Sequence, residues 1–458
     1  MAKPHIFRQY DIRGVVGPDI DESVAESIGR ALATLLRRDQ GGSAELRIAL
    51  GRDNRLTSDA LAAAASRGIT SAGVNVIDVG TVPTPAQSFA AAVWETDAGL
   101  QVTGSHNPPQ YNGFKMSIGG GSLYGAKIQQ LRELMEEEDY ESGSGTVEHR
   151  EVLPLYIETL ASKFTVARPI RVVVDCGNGS GSLVAVELLR AISDRIEVIP
   201  LFCESDGTFP NHHPDPVVDK NLEDLIAEVR STGADLGVAF DGDADRIGAV
   251  DDEGGIVRGD TLLLLYALDL IERRGPGQRV VFDVKCSQAL PEALERAGGV
   301  PIMSQTGHSL IKKRMKEEGS LLSGELSGHI MFADDYYGFD DALYAAGLLI
   351  SIVARLETPL SQRLRELPQF VSTAEIRYPA TEETKWNVVQ RAVEHFSRSH
   401  EVVDVDGARV LFGDGWGLIR ASNTEPVLVA RYEAKSAERL AEIRQTMESW
   451  LTSQGVTI

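Results

Sequence analysis

Positive charge is scarce in this sequence. Its 45 Lys and Arg stand against 67 Asp and Glu, a formal net charge of −22 at pH 7, and a body of that sign repels polyanions at long range. Nucleic acid is thereby excluded as a general partner. A small phosphate is compatible with such a charge only where Arg, Lys and backbone N–H groups gather locally. Cysteine is scarcer still. Cys176, Cys203 and Cys286 include no Cys-x-x-Cys pair, so neither a disulfide framework nor a thiolate metal site is expected. Long apolar runs are missing too: the most apolar stretches, 262–270 and 342–353, fall short of the roughly 20 residues that span a bilayer. Both read as buried helices. The opening Met1-Ala2-Lys3-Pro4-His5 has no signal-peptide core, so the expectation is a cytoplasmic protein with no membrane partner.

What is present is a long chain of ordinary globular composition, 458 residues with 43% hydrophobic and 24% charged positions. That length exceeds what one core organises and favours several domains. Helical and extended patterns alternate through most of it. A helix is expected over 22–38, strands over 46–50, 74–79 and 100–103, and a helix over 59–67. The pattern restarts with strands over 170–175, 196–201 and 235–240, separated by helices ending near 192 and 230. A third round has helices over 260–273, 289–297, 309–316 and 340–356 and a strand over 279–284. Strands separated by crossover helices imply mainly parallel sheets. Past Pro368 the texture changes to short extended runs over 370–378, 408–412, 417–420 and 427–432, with helices over 386–397 and 437–451. The fold class is therefore α/β, divided as 1–145, 146–251 and 252–367, three related α/β units with mixed, largely parallel sheets, followed by a C-terminal α+β unit, 368–458.

Four loops carry chemistry. In Thr103-Gly104-Ser105-His106-Asn107-Pro108-Pro109, Gly104 permits a sharp turn after a strand and the prolines stop a helix, which leaves Ser105 as an exposed hydroxyl on a stiff loop or simply part of a strand-end turn. A serine–histidine hydrolase is disfavoured there, since neighbouring residues seldom reach triad geometry and the Gly-x-Ser-x-Gly elbow is absent. In Phe240-Asp241-Gly242-Asp243-Ala244-Asp245-Arg246, three alternate carboxylates repel one another unless a cation lies among them, and oxygen-only ligands point to Mg²⁺. The EF-hand alternative fails because Arg246 and Asp252 stand where Gly and Glu are required. An aspartate nucleophile on the same loop stays open. Ser323-Gly324-Glu325-Leu326-Ser327-Gly328-His329 suits sugar hydroxyls or an ordinary turn equally well. Arg420-Ala421-Ser422-Asn423-Thr424-Glu425-Pro426 combines a guanidinium, short polar side chains and turn amides, groups able to hold a phosphate.

One such loop per expected unit, in this order, resembles the α-D-phosphohexomutases, and Phe7-Arg8-Gln9-Tyr10-Asp11-Ile12-Arg13-Gly14 is similar to that family's opening. The Ser422-Asn423-Thr424 and Gly324-to-His329 signatures look like its phosphomannomutase/phosphoglucomutase group, with Leu326 in place of a frequent Met. The resemblance implies four domains around a central cleft, the last a mobile lid, and an isomerase for hexose 1-phosphates and 6-phosphates that passes phosphate through phosphorylated Ser105 and a reorienting hexose 1,6-bisphosphate. It implies Mg²⁺ held by Ser105, Asp241, Asp243 and Asp245, and Ser105, Lys115, Arg246 and His329 as catalytic groups. Substrate contacts carried over are Tyr10, Arg13, His106, Arg246, Lys285, His308, Glu325, Ser327, His329, Arg420, Ser422, Asn423 and Thr424. The partners expected are small hexose phosphates; a monomer is compatible with the sequence, which leaves the oligomeric state open. Two rival classes are a phosphatase using Asp241 and an inactive sugar-phosphate binding protein.

Overall fold

The computed structural model describes residues 2–41, 45–423 and 425–458. Two compact units emerge, one combining Met1–Leu262 with Ser327–Gln362, the other combining Leu263–Leu326 with Arg363–Ile458.

The first unit contains two sheets. In the first sheet, strands Val147–His149, Asn75–Thr81, Arg47–Arg52 and Ala98–Val102 run parallel, and Tyr111–Ile118 returns antiparallel beside Ala98–Val102 and pairs on its far side with Ile12–Val15. Helix Glu22–Asp39 forms where Asp21 caps it by accepting from the Val24 N–H at 2.9 Å. Ala25, Ile28, Leu32, Leu35 and Leu36 then recur at helical spacing and are buried in the core. Because Arg47–Arg52 and Ala98–Val102 are parallel neighbours, their carboxyl ends open on one edge, where an α/β sheet presents its ligand-facing loops. The Asp53 N–H donates to Val102 O at 2.9 Å and so ties the two loops that leave that edge.

The second sheet orders Ile256–Val257, Ile247–Asp251, Leu236–Phe240, Ile170–Asp175 and Ile196–Leu201. The last three are parallel. Leu236–Phe240 is buried along its whole length, which is why it reads as a continuous apolar run. It pairs antiparallel with Ile247–Asp251, Phe240 opposite Ile247, so the acidic loop is the connection of a hairpin. The returning strand was not among the expected elements.

In the second unit, Val300–Ser304, Arg279–Asp283 and Leu322–Gly324 are parallel. A six-stranded antiparallel sheet, Val371–Ser372 through Val427–Ala434, is covered by helices Glu382–Phe396 and Ala437–Ser453. The single extended run expected over 370–378 is broken into Val371–Ser372 and Ile376–Pro379. No helix among the described residues is long and apolar enough to cross a membrane.

Candidate active site

In the first unit the serine loop and the acidic loop meet. Ser105 Oγ donates to Asp241 Oδ2 at 2.8 Å and lies 3.1 Å from His106 Nδ1. The hydroxyl is directed at the Asp241 carboxylate, with the His106 ring beside it. Burial, then the Arg246 and Arg13 guanidiniums, hold His106 well below its ordinary range. The expectation of an exposed hydroxyl is corrected: Ser105 is only 2% exposed, because carboxylates and the rest of its own loop close over it.

The loop's shape has an identifiable cause. Ser105 adopts φ +48°, a left-handed conformation uncommon for a residue with a side chain. Arg55 holds it there, donating to the carbonyls of Ser105 (2.7 Å), Asn107 (2.6 Å), Pro108 (2.7 Å) and Tyr111 (3.0 Å). Asp53 pairs with Arg55 Nε at 3.0 Å and accepts from the Gly104 N–H at 3.0 Å. A Cβ on Gly104 would lie 2.5 Å from the Arg55 guanidinium carbon, so glycine is required at that position. A Cβ on Gly242 would lie 2.4 Å from Ser105 O, so the acidic loop comes this close to the serine loop because Gly242 is bare.

Asp241, Asp243 and Asp245 are all buried and can direct one oxygen each to within 4.8 Å of the others. The loop is wound so that Asp241 Oδ1 accepts from the N–H groups of Asp245 (3.1 Å) and Arg246 (3.2 Å). Asp243 Oδ2 accepts from Thr84 Oγ1 at 2.5 Å and Thr103 Oγ1 at 3.2 Å. Lys115 Nζ, reaching in from Tyr111–Ile118, lies 2.6 Å from Asp243 Oδ2 and 2.5 Å from Asp245 Oδ2. Burial alone would lower Lys115, but Asp243, Asp245 and Asp241 outweigh it and keep the ammonium charged. Burial and the two neighbouring carboxylates raise Asp241; Asp243, despite its burial, is held low by Lys115. Asp243 Oδ1 and Asp245 Oδ1 have no hydrogen-bond partner among the described residues, so the donor set fits a further cation.

His329 closes this group. Its Nε2 accepts from Arg246 Nε at 2.9 Å, which puts the ring proton on Nδ1, facing Asp340 Oδ2 at 3.0 Å and Asp245 Oδ1 at 3.6 Å. Arg13 donates to Asn107 Oδ1 at 2.6 Å in the serine loop and pairs with Asp11 at 2.5 Å. Tyr10 and Ser327 also belong to this unit, each half-buried.

The remaining expected residues lie in the second unit. Lys285 Nζ pairs with Glu375 at 2.9 Å, and Lys285 holds that carboxylate down at about 2. Glu325 accepts from the Gly307 N–H at 2.6 Å, one residue before His308 begins helix His308–Glu318. Arg420 Nε donates to Asp406 Oδ2 at 3.0 Å. The loop after it is held from below by buried Lys385, which donates to Ser422 O at 2.7 Å and Glu425 O at 3.1 Å. Asn423 is half-buried, and Thr424 lies outside the described residues. Asp53, Arg55, Thr84, Asp340 and Lys385 were missed in the sequence. The charged run Arg52-Asp53-Asn54-Arg55 directly behind an apolar strand was the one available signal.

A buried serine hydroxyl set against three carboxylates, two of them with a spare oxygen, on an α/β scaffold, is the arrangement of a phosphate-transferring enzyme. Four family profiles match in order: phosphoglucomutase/phosphomannomutase alpha/beta/alpha domain I over residues 4–142, domain II over 154–255, domain III over 258–370 and the C-terminal domain over 375–449. The phosphomannomutase/phosphoglucomutase of Pseudomonas aeruginosa is 45% identical over 448 residues, covering 97% of this chain and 95% of that protein. The phosphoglucomutase of Neisseria gonorrhoeae is 42% identical over 453 residues, 98% of this chain and 97% of the other. A crystal structure of a phosphoglucomutase/phosphomannomutase family protein from Burkholderia thailandensis superposes with a TM-score of 0.91 at 42% identity, covering 99% of this chain and 98% of that one. The chain belongs to the phosphoglucomutase/phosphomannomutase family.

Proposed function

We propose that the chain interconverts hexose 1-phosphate and hexose 6-phosphate of the mannose or glucose series through phosphorylated Ser105. The observation that carries this reading is the 2.8 Å contact of Ser105 Oγ with Asp241, at a cluster of three buried carboxylates able to hold the cation that a phosphoryl group on that oxygen needs. In the first half-reaction the free hydroxyl of the sugar attacks phosphorus; the new O–P bond forms as the Ser105 Oγ–P bond breaks. The resulting 1,6-bisphosphate turns around, and Ser105 takes back the other phosphate. Positioning and charge neutralisation supply most of the rate in such transfers.

The chain's own groups divide the work. Arg246 and Lys115 steady the transferring phosphoryl oxygens, and Lys115 and His329 are placed to move a proton, His329 with its tautomer set by Arg246. His106 and Arg13 hold the serine loop and meet the phosphate. Mg²⁺ would be held by Asp241, Asp243, Asp245 and an oxygen on Ser105, and when bound it neutralises charge on the phosphoryl oxygens. Glu325, Ser327 and His329 are assigned to the sugar hydroxyls, and Arg420, Ser422, Asn423 and Thr424 to the phosphate that is not reacting. Tyr10, Lys285 and His308 complete the substrate contacts. The domains assigned to these roles are 1–145, 146–251, 252–367 and 368–458, in a cytoplasmic enzyme.

The test is a coupled assay with mannose 1-phosphate and glucose 1-phosphate, Mg²⁺ and a trace of the 1,6-bisphosphate, followed for isomerisation and for free phosphate. Isomerisation without phosphate release is expected. Ser105→Ala should abolish it and lose the phosphate detected by intact mass. Phosphate release without isomerisation would replace this reading with a phosphatase.

A further inference from the structure

Two of the three cysteines leave neighbouring strands at the same sheet edge. Ile170–Asp175 and Ile196–Leu201 pair in parallel with Asp175 opposite Leu201, so Cys176 follows one strand by one residue and Cys203 the other by two. Their sulfurs lie 3.1 Å apart. Cys176 is buried and Cys203 half-buried, the latter lining a cavity of about 500 Å³ with Asn178, Arg190, Phe202, Glu204 and Asn211. The cavity gives a small solute access to one member of the pair. Neither thiol has a part in the phosphoryl-transfer site.

The turn carrying Cys176 is built into that site from behind. Cys176 O accepts from the Gly179 N–H at 2.8 Å, and Asn178 O accepts from Asn54 Nδ2 at 2.7 Å, next to the Asp53–Arg55 pair. The Ser180 N–H and Oγ both donate to Gly242 O, at 2.9 and 3.2 Å. Gly242 sits between Asp241 and Asp243.

We propose that Cys176 and Cys203 form a peroxide-reactive dithiol that closes to a reversible disulfide and lowers the enzyme's activity. The Cys203 thiolate attacks a peroxide oxygen; with hydrogen peroxide the O–O bond breaks, the sulfur becomes a sulfenic acid and one water leaves. Cys176 sulfur then attacks Cys203 sulfur, the S–O bond breaks and a second water leaves. Two thiols have given up two electrons and two protons, and the peroxide has taken them. The mutual contact of the thiols lowers Cys203, while that contact and burial raise Cys176, so the nucleophilic thiolate forms on Cys203, the residue of the pair that lines the cavity. A disulfide S–S bond is about 2.0 Å long, so closure draws the sulfurs together by roughly 1 Å and tugs the turn that carries Ser180. A misplacement of that size next to the acidic loop reduces catalysis about tenfold or more.

The activity half of this proposal rests on the mutase reading; the thiol half does not. The whole chain is reduced, freed of reductant, treated with hydrogen peroxide, quenched with catalase, then denatured and alkylated with N-ethylmaleimide. Three labels are expected on reduced protein and one, at Cys286, after peroxide, with the peptides bearing Cys176 and Cys203 joined. Mutase activity should fall with the label count and return with dithiothreitol. Cys203→Ser, at a half-buried position, should keep its activity through the same treatment; Cys176→Ser is a second control. Three labels after peroxide, a link through Cys286, a disulfide with unchanged activity, or equal inactivation of Cys203→Ser would each overturn the proposal. A reduced protein without mutase activity would overturn the functional reading instead, while the label count still decides whether the disulfide forms.

Discussion

Ser105 is the residue on which the chemistry turns, yet its conformation is set by Arg55, a residue 50 positions earlier. One guanidinium satisfies four loop carbonyls and is itself neutralised by Asp53, whose other role is to hold the Gly104 N–H. Lysine cannot reproduce this. Its ammonium offers three donors from a single point, whereas the fork of arginine spreads five across a plane. Arg55→Lys keeps the charge beside Asp53, so the loop is expected to stay folded but to loosen around Ser105. Its kcat should fall about 10- to 100-fold with little change in KM, measured in the same coupled assay. A kcat within about twofold of the parent would show that the loop holds its shape without the fork. The sequence reading named Ser105 and the three aspartates because each lies in a compact run whose chemistry is local. Arg55 escaped it because its partners are adjacent in space, not in sequence.

At the scale of elements, the same distinction recurs. Strands Ile170–Asp175 and Ile196–Leu201 match their expected bounds, since each is a short, largely apolar run closed by a turn. Tyr111–Ile118 was not expected: Asn112, Gly113 and Lys115 interrupt any alternation, and these polar positions are explained by the site and by the neighbouring loops. Helix Ala342–Arg355 was legible from its apolar run, but its cap was not. Asp341 accepts from the Tyr344 N–H at 2.9 Å and from the hydroxyls of Tyr156 (2.8 Å) and Tyr336 (2.6 Å). Burial nevertheless pushes its carboxyl up to about 6, from an ordinary 3.8. Between about pH 4 and 6 the folded chain therefore binds more protons here than the unfolded chain, and stability from this group falls as pH rises through that window. The full drop amounts to roughly 3 kcal/mol above pH 6. Asp341→Asn keeps an acceptor without the charge. Thermal melts of the two proteins should diverge as pH rises from 4 to 6, the variant being equally or more stable at pH 7; a variant that loses stability at pH 7 but not at pH 4 would refute this.

At the scale of the molecule, the linear order of segments and the packing of the chain differ. The proposed third segment, 252–367, supplies Leu263–Leu326 to one compact unit and Ser327–Gln362 to the other. Its final stretch is bound to residues before 252. Ile247 N–H donates to Gly328 O at 3.1 Å, Ala342 N–H to Ala244 O at 3.3 Å, and the Phe164 and Tyr344 rings meet edge to face at 5.0 Å. No periodicity in the sequence reveals such an exchange, because each helix and strand is locally complete whichever sheet it joins. The fourth segment is different. Its core, from Tyr378 to Val456, is drawn wholly from its own residues, nearly all on its sheet and its two helices. Residues 368–458 made alone should therefore unfold cooperatively, whereas 252–367 made alone should not, as followed by circular dichroism. One face of the isolated fourth segment would be uncovered. Trp416, 1% exposed, packs with Val284 and Leu418, under the guanidinium of Arg409, which is anchored to Val284 O at 2.6 Å and Cys286 O at 2.8 Å. Without residues 284–286 the indole meets water, so tryptophan emission of the segment should shift to longer wavelength than in a whole chain carrying Trp94→Phe, which leaves the same three tryptophans, and Trp416→Phe in both should abolish the difference. A cooperative transition in 252–367, or emission unchanged on excision of 368–458, would show that the units are divided elsewhere.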